Sequence, residues 1–441
     1  MSTLTEDAKA VAAVVSPILS DSDYEPLFQL MSDQQVVLIG EASHGTHEFY
    51  ETRANLTKRL IAEKGFQSLA LEADWPDALR VHRYTQGNGA DPNAESALAD
   101  FKRFPQWMWR NTVVLEFVEW LRQWNQAHEK SQVGFYGMDL YSLHSSIAEV
   151  LRYLDEVDPA AARRARQRYA CFEDFGDPQM YGYAAGKGMT ELCEDKVVAQ
   201  LMELRKRAGE IMGRDGQQAG AEFFYAEQNA RLIANAERYY RSMFQGRASS
   251  WNLRDQHMAG TIQSLLTHLD GGRSKIVVWA HNSHLGDARA TEMSERGELN
   301  VGQLMREKFG DDAFLLGFST YTGTVTAADD WGAPAQQKRV RPGLPESYER
   351  LFHGTGIPRF WLDLRGKKEA AADVLRGPRL ERAIGVIYRP ETERWSHYFH
   401  AQIDKQFDAL IHFDETRALT PLERTGEWER GELPETFPSG I

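Results

Sequence analysis

The 441-residue chain is poor in cysteine and has no long hydrophobic runs. Its two cysteines, Cys171 and Cys193, are too few for a disulfide framework or a zinc knuckle, and their helical-looking surroundings predict reduced structural thiols. No apolar run approaches the roughly 20 residues that span a bilayer, and the N-terminus lacks the basic and apolar regions of a secretory signal. These absences predict a soluble cytoplasmic protein.

An excess of positive charge is missing as well. The formal net charge is -13 at pH 7, and no Lys/Arg-rich tail is present. Proteins that bind nucleic acids carry the opposite electrostatic footprint. We therefore expect a small-molecule ligand, with neither a nucleic acid nor a membrane as a partner; the oligomeric state is left open.

Several catalytic motifs are also absent. Without a Gly-x-Ser-x-Gly nucleophile elbow, an ordinary serine hydrolase is not expected. There is no P-loop, and no Gly-x-Gly-x-x-Gly follows a predicted strand. The order His44-Gly-Thr-His47-Glu48 matches neither His-Glu-x-x-His nor its inverted form.

What the sequence does contain is a series of short apolar runs, most of them separated by segments of helical period. This alternation predicts an α/β fold with a mainly parallel central sheet flanked by helices. The clearer early crossover helices are predicted at 57–64 and 113–126. The predicted strands are 36–39, 68–71, 133–136, 276–279, 314–318, 360–364, 384–388 and 410–413.

The middle of the chain, residues 143–270, contains no convincing strand and is rich in Ala, Leu, Glu, Arg and Gln. It is too long for one crossover, so it predicts several helices that form a cap or side layer, interrupted at 175–178 and 213–216. The expected organisation is a first part of an α/β catalytic core (1–142), a helical insertion (143–270) and a second part of the core (271–441). Residues 432–440 are expected to form a surface tail.

Acidic and imidazole side chains follow three of the predicted strands. Because open α/β sheets bind ligands outside the carboxyl ends of their strands, these side chains are expected in one cleft. The pairs are Glu41 and His44, Glu72 and Asp74, and His281 and His284.

The pair Glu41 and His44 is predicted to carry the chemistry. A carboxylate near an imidazole fixes its tautomer and favours its protonated form, which suits His44 to take a proton from water and to return it to a leaving group. The alternative is a structural histidine that bonds a buried carboxylate. His47, one turn further, is a secondary candidate for the cleft or an exposed helical residue.

The remaining polar candidates have more than one interpretation. Glu72 could orient a neighbouring cation or activate water, whereas Asp74 could instead be the N-cap of the next helix. Arg53 could pair with a strand-end carboxylate, hold a substrate oxygen or form a surface ion pair. His281 and His284 could polarise a carbonyl, donate to an oxyanion, bind a metal or cap the following helix.

The aromatic segment 104–110 is predicted to line the mouth of the cleft, with Trp107, Trp109 and Arg110 in contact with the substrate. Aromatic rings beside an arginine suit an amphipathic ester better than a small ionic substrate. Packing in the core is the alternative.

With these residues in place, the sequence resembles the erythromycin esterase family. The similar segments follow in the family's order through most of the chain and are Ile39-Gly-Glu-Ala-Ser-His-Gly-Thr-His-Glu-Phe49, Arg53, Leu71-Glu-Ala-Asp-Trp75, Phe135-Tyr-Gly-Met-Asp139, Trp251-Asn-Leu-Arg-Asp255 and Trp279-Ala-His-Asn-Ser-His284.

The resemblance implies an α/β core with additional helices and a cleft that hydrolyses a macrolide lactone, an antibiotic-resistance activity, through activated water and without a covalent nucleophile. It implies that His44 is the general base and that Glu41 and Glu72 are its carboxylate partners. Arg53, His281 and His284 would be the other essential polar residues. Of this activity, the resemblance leads us to expect ester or lactone hydrolysis in this protein, without specifying the substrate.

The sequence is therefore compatible with three functions. The leading one is hydrolysis of a carboxylic ester or lactone without metal or cofactor. The second is metal-dependent hydrolysis of a phosphoester or ester, with the histidines and glutamates of the strand ends as ligands. The third is a non-enzymatic protein that binds a small ligand or haem.

Overall fold

A nine-stranded sheet lies at the centre of the computed structural model, which describes residues 5–244, 246–269, 271–365 and 369–430. The side chains of 207–219 and 369–370 are not part of that description. Helices cover the sheet, and most neighbouring strands are parallel. The predicted α/β class with a mainly parallel sheet is confirmed.

The described residues form eleven strands. They are β1 (Ser16–Pro17), β2 (Val36–Ile39), β3 (Ser68–Asp74), β4 (Gly134–Asp139), β5 (Ile276–Trp279), β6 (Ala313–Ala327), β7 (Gln336–Val340), β8 (Arg359–Asp363), β9 (Arg379–Arg382), β10 (Tyr398–Ala401) and β11 (Ala409–Thr416).

The α-helices of the same residues are numbered in chain order. They are α1 (Glu6–Ala12), α2 (Glu25–Ser32), α3 (His47–Lys64), α4 (Trp75–Thr85), α5 (Ala94–Ala97), α6 (Thr112–Ala127), α7 (Leu143–Val157), α8 (Pro159–Tyr169), α9 (Pro178–Gly186), α10 (Glu194–Ser242), α11 (Arg247–His268), α12 (Asn282–Leu285), α13 (Glu292–Glu295), α14 (Val301–Phe309), α15 (Tyr348–His353), α16 (Glu369–Arg376), α17 (Glu393–Ser396), α18 (Ile403–Gln406) and α19 (Gly426–Arg430). Short 3-10 helices occupy Asp21–Tyr24, Leu98–Asp100, Gln106–Met108, Ala170–Phe172, Ala288–Ala290, Gly310–Asp312 and Pro390–Thr392.

The order of the strands in the large sheet is β1-β8-β11-β6-β2-β5-β3-β4, and β7 pairs with β6. The six strands from β11 to β4 run parallel, whereas β8, β1 and β7 are antiparallel to their neighbours. The late strand β5 lies between the early strands β2 and β3. This insertion brings segments that are distant in the chain to one edge of the sheet.

The central strands β2 and β5 are apolar throughout because both faces of the sheet are covered. All four residues of β2 are buried, and its side chains alternate between two cores. Val36 and Leu38 join one core, while Val37 and Ile39 join the other. The period of two in a strand thus places successive residues on opposite sides of the sheet.

Seven of the eight predicted strands are present, and the strand predicted at 384–388 is wrong. This segment makes isolated bridges instead, from Ile384 to Ser43 and from Ile387 to Ala328. Its backbone crosses residues that follow β2 and β6, so it meets single residues and not the length of a neighbouring strand. The segment is apolar because residues such as Ile384 and Tyr388 are buried, and not because it pairs with a neighbouring strand.

The helical middle of the chain is observed as α7 to α11, and the described residues between 143 and 268 contain no strand. The predicted interruption at 175–178 precedes α9, but the one at 213–216 is wrong, since α10 runs through it without a break. Glycine costs only about 1 kcal/mol within a helix, and α10 packs against α7, α9 and α11.

The prediction of reduced thiols is also wrong, because Cys171 and Cys193 form a disulfide. It joins the 3-10 helix Ala170–Phe172 to the residue before α10. Sequence spacing did not show that the two segments are adjacent. The tail predicted at 432–440 lies outside the described residues, and none of the described helices combines the length and apolarity that a membrane span requires.

Candidate active site

The carboxyl ends of β2, β5, β3 and β4 lie side by side in this order, and the predicted site residues follow them. Ile39 and Leu71 are both in register with Trp279, the last residue of β5, whereas β3 continues to Asp74 and so carries Glu72 and Asp74 at its carboxyl end. Two hydrogen bonds join the segments at the strand ends. Asn282 N donates to Glu41 O at 2.8 Å, and His281 N donates to Glu72 Oε2 at 2.9 Å.

The turn after β2 is tightly packed. A Cβ on Gly45 would lie 1.9 Å from the carbonyl oxygen of Thr326, and one on Gly40 would lie 2.3 Å from Asn282 Oδ1. Glycine at both positions lets the backbone pass close to β6 and α12. This close passage fixes Glu41 and His44 relative to the neighbouring strands.

His44 Nδ1 lies 2.9 Å from Glu41 Oε1, and both side chains are buried. The carboxylate accepts the Nδ1 proton, which leaves the lone pair of the neutral ring on Nε2. Nε2 has no hydrogen-bond partner in the described chain, and His44 lines a cavity. The geometry is that of a base held in one tautomer.

Arg53 forms an ion pair with the carboxylate of Glu41. Its Nη1 lies 3.1 Å from Glu41 Oε2, and its side chain is fully buried. The guanidinium carbon lies 3.8 Å from the ring centroid of Tyr50 and 4.8 Å from that of Trp279. An ion pair and two aromatic faces thus compensate the desolvation of this cation.

His281 has the opposite tautomer. It is the N-cap of α12, and Ser283 N donates to its Nδ1 at 3.2 Å. An amide nitrogen can only donate, so the proton of the neutral ring is on Nε2. Burial, and after it the electrostatic interaction with the neighbouring His44 imidazole, lowers the pKa of His281 to about 3, so the ring is neutral near pH 7.

The Nε2 proton of His281 has no acceptor with hydrogen-bond geometry among the described residues. The Ala42 carbonyl, which accepts from Ile384 N at 2.9 Å, lies close enough to influence the ring but not in hydrogen-bond geometry with His281 Nε2. The His281 ring centroid lies 4.8 Å from that of His44, and both rings line the same cavity. A buried donor without a partner is costly, and a ligand oxygen would satisfy it.

His284 is held at both nitrogens by adjacent residues of α11. Its Nδ1 lies 2.9 Å from Asp255 Oδ1, and its Nε2 lies 3.1 Å from Arg254 Nη1. The ring also stacks on Trp251, with centroids 4.5 Å apart. Burial opposes the charged form, but the carboxylates of Asp255 and Glu72 outweigh it and raise the pKa of His284.

Arg254 contacts residues at three strand ends: Glu72 in β3, Asp139 in β4 and His284 after β5. Its Nη2 donates to Glu72 Oε1 at 2.7 Å, and it bonds both oxygens of Asp139 at 2.7 and 2.9 Å. Burial would raise the pKa of Glu72, but its electrostatic interactions with His284, Arg254 and His44, in that order, hold it well below its usual range. Glu72 is therefore ionised, and it binds the backbone of His281 with its second oxygen.

Asp74 lies at the start of α4, where its side chain makes no capping hydrogen bond. Its Oδ2 instead accepts from Arg103 Nε at 2.9 Å. Burial, assisted by the charge of Asp74, raises the pKa of the neighbouring Asp77 to about 8. Both aspartates line the cavity.

The cavity has a volume of about 660 Å³, within the range of a site for a drug-sized ligand. The predicted residues that line it are His44, Glu72, Asp74, Trp109, His281 and His284. Both His281 and His284 therefore face the cleft. Helix α11 supplies Trp251 and Arg254 to the same wall.

The other predicted residues lie elsewhere. Glu41 and Arg53 are behind His44, and Trp107 is buried outside the cavity lining. Arg110 donates to Glu423 and to the Glu95 carbonyl. His47 Nε2 lies 3.6 Å from Glu51 Oε1, on the first turn of α3.

Sequence reasoning assigned no catalytic or binding role to Arg254, Asp255, Asp139 and Arg103. Arg254 and Asp255 were visible in the segment Trp251-Asn-Leu-Arg-Asp255, and Asp139 ends a predicted strand region. Their partners are distant in sequence, 182 residues away for the pair of Arg254 and Glu72. No local spacing rule connects them.

Among the residues that the structure describes, no group of three or more His, Cys, Asp or Glu side chains is arranged to hold a metal ion. The nitrogen atoms of the histidines are largely engaged. His284 uses both in bonds to Asp255 and Arg254, and His44 and His281 each use Nδ1.

Comparisons with known proteins agree with this architecture. The erythromycin esterase family model matches residues 61–416. Erythromycin esterase type II from Escherichia coli is 22% identical over 414 residues, which cover 89% of this chain and 92% of the relative. A putative hydrolase from Bacillus subtilis is 21% identical over 416 residues, or 89% of this chain and 86% of that protein.

Among solved structures, a mutant erythromycin esterase in its open conformation is 16% identical and superposes with a TM-score of 0.68. That match covers 96% of this chain and all of the other. The fold, the order of the motifs and the family match over most of the sequence lead to one conclusion: the chain belongs to the erythromycin esterase family.

Proposed function

We propose that this protein hydrolyses carboxylic esters or lactones with a water molecule that His44 activates, without a covalent nucleophile. One observation carries the proposal: His44 and His281 present opposite tautomers to the same cavity, with ring centroids 4.8 Å apart. One ring offers a lone pair and the other offers a proton. Ester hydrolysis needs both, at the attacking water and at the carbonyl oxygen.

The reaction would proceed in two steps. In the first, His44 Nε2 takes a proton from water while the hydroxide oxygen forms a bond to the carbonyl carbon. The negative charge that develops on the carbonyl oxygen accepts the Nε2 proton of His281 as a hydrogen bond. In the second step the bond to the alcohol oxygen breaks, and protonated His44 returns the proton to the leaving alkoxide.

The residues behind His44 would support the charge that it gains. Glu41 accepts the Nδ1 proton and stabilises the imidazolium, while Arg53 compensates the buried carboxylate. Glu72 would hold the segment after β5 in place through the His281 backbone, and it would add negative charge close to His44. These are positioning residues, since they bear on the reacting atoms through His44 and His281.

Ser283 is the competing nucleophile. Its Oγ lies 2.9 Å from His281 Nδ1, and it lines the cavity. A ring with a pKa of about 3 is a weak base, however, and the Ser283 backbone amide already donates to the same nitrogen. Activated water at His44 is favoured for this reason.

Family membership supports the general class of reaction, because two relatives are named erythromycin esterases. At 22% identity it does not fix the substrate. We extend the proposal to esters and lactones as a class and treat macrolide lactones, and with them antibiotic resistance, as one member of the test panel.

The test uses metal-free protein and a panel of aryl esters, alkyl esters, simple lactones and a macrolide. Hydrolysis with label from ¹⁸O-water in the acid product, no acyl-enzyme in intact mass spectra, and retained activity in Ser283→Ala are expected. A covalent acyl adduct that Ser283→Ala abolishes would replace water activation by a nucleophilic mechanism. Absence of turnover on the whole panel, or turnover that requires added metal, would overturn the proposal.

A further inference from the structure

Two exposed tryptophans line the cavity that contains His44. The exposed fraction is 86% for Trp395 and 58% for Trp331. Burial of an indole side chain is strongly favourable. An exposed tryptophan on the wall of a cavity therefore indicates a contact surface for a ligand. The other exposed aromatic residues of the described chain, Tyr183 and Phe244, pack against each other with their ring centroids 5.6 Å apart.

The tryptophans belong to different parts of the cavity wall. Trp395 is in the short helix α17, and Trp331 lies between β6 and β7, where its ring centroid is 4.9 Å from that of Phe104. Phe104 also lines the cavity. The catalytic histidines need little of the cavity's 660 Å³, which leaves room for a large non-reacting part of a ligand.

Arg394 is an arginine of this wall without a carboxylate partner. It forms no ion pair or hydrogen bond with the described residues, and its guanidinium lies 5.5 Å from the Trp395 ring centroid. The adjacent Glu393 is buried in a pair with Arg382 and does not neutralise it. The other lining arginines are paired: Arg103 with Asp74, Arg247 with Glu298, Arg254 with Glu72 and Arg296 with Glu292.

We propose that Trp331, Arg394 and Trp395 form a subsite for the non-reacting part of the substrate, and that this part is a ring system bearing a carboxylate. The indoles supply flat apolar surface for the ring, and the unpaired guanidinium supplies two parallel donors for the anion. A purely apolar chain would desolvate Arg394 without compensation. The proposal rests on the proposed function, since it names the substrate class of that same cavity.

The test compares three acetate esters: phenyl acetate, 2-naphthyl acetate and 6-carboxy-2-naphthyl acetate. Trp395→Ala and Trp331→Ala should raise KM for both naphthyl esters by about tenfold and leave phenyl acetate within about twofold. Arg394→Gln should raise KM by about tenfold for the carboxylated ester alone. The kcat values should stay close to wild type, because the subsite does not touch the reacting atoms.

Arg424→Gln is the matched control. Arg424 also lies beside a tryptophan, 5.7 Å from the Trp428 ring centroid, but outside the cavity lining. It should leave all three KM values unchanged. An Arg394→Gln variant that affects both naphthyl esters equally, or neither, would overturn the anionic assignment, and tryptophan variants that spare the naphthyl esters would overturn the subsite.

A binding measurement separates this proposal from the proposed function. Titration with 6-hydroxy-2-naphthoate and with 2-naphthol measures the subsite without any turnover. Tighter binding of the naphthoate, lost in Arg394→Gln, would support the subsite even if no ester were hydrolysed. Ester hydrolysis without any preference for the naphthoate would leave the hydrolase intact and overturn the subsite.

Discussion

The imidazole rings of His44 and His281 lie 4.8 Å apart at an interplanar angle of 51°, and their protons are on different nitrogen atoms. His44 is protonated at Nδ1 toward Glu41, whereas His281 is protonated at Nε2 because its Nδ1 accepts from Ser283. Each tautomer is set by a neighbouring residue: the Glu41 carboxylate for His44 and the Ser283 backbone amide for His281. The site thus obtains a base and a hydrogen-bond donor from two identical side chains.

Replacement of His44 by Asn should lower kcat by about 10² to 10⁴, the usual contribution of a positioned general base. Glu41→Gln should act in the same direction, since it removes the acceptor that holds the Nδ1 proton. The double variant should fall far short of the sum of the two effects if the residues act as a unit. Steady-state kinetics of the four proteins gives the coupling directly.

The activity of the wild type should fall on the acid side of its pH profile, because a general base can accept a proton from water only in its unprotonated form. This limb should disappear from the residual activity of His44→Asn. Circular dichroism should show an unchanged fold. A His44→Asn or His44→Ala protein that turns over a good wild-type substrate at nearly full rate would rule out the mechanism.

His281→Ala should lower kcat by about 10² to 10³, the loss seen when an oxyanion donor is removed, with little change in KM. Because the pKa of His281 is lowered to about 3, the ring stays neutral from pH 5 to 9 and adds no limb to the wild-type profile. His281→Gln retains an N–H donor and should recover part of kcat. An equal loss in both variants, or a loss confined to KM, would argue against an oxyanion donor.

Asp255→Asn should lower the pKa of His284, because the carboxylate that raises it is removed while burial remains. NMR titration of the imidazole signals measures this shift. Asp155→Asn is the control, since Asp155 pairs with Arg166 on the surface of the insertion. A His284 signal that titrates alike in wild type and Asp255→Asn would show that the pair is not coupled in solution.

Glu381→Gln should reduce the dependence of stability on pH. Burial, and after it the Glu349 carboxylate, raises the pKa of Glu381 from 4.5 to about 8. Between these values the folded protein holds a proton that the unfolded chain has released, so stability falls as the pH rises. A neutral glutamine does not titrate and removes this contribution.

Thermal unfolding at pH 5 and pH 8.5 measures the effect. Between these pH values, the Tm of the wild type should decrease by more than the Tm of Glu381→Gln. The control Glu415→Gln changes an exposed glutamate of β11 and should behave like wild type. Identical slopes for wild type and Glu381→Gln would show that this carboxyl ionises normally in the folded protein.

Local patterns were sufficient to find the catalytic strands but not everything that surrounds them. Four apolar residues followed by Gly40, Glu41 and His44 mark a buried strand and its end without any reference to the rest of the chain. The segment 384–388 has the same apolar character and is not a strand. Burial alone selects apolar residues in both cases, and only the presence of a neighbouring strand decides whether a ladder forms.

The sequence by itself determined the α/β alternation, the helical middle and the ionisable residues beyond the strands, because these follow from local periodicity and residue chemistry. Tertiary structure alone decided that β5 lies between β2 and β3, which places His281 against both His44 and Glu72. It also decided that α11 lies over this edge, where Arg254 joins Glu72 to Asp139 across 182 and 115 residues of chain. The order of strands depends on how all the layers pack together, and that packing is a property of the whole chain and not of any segment.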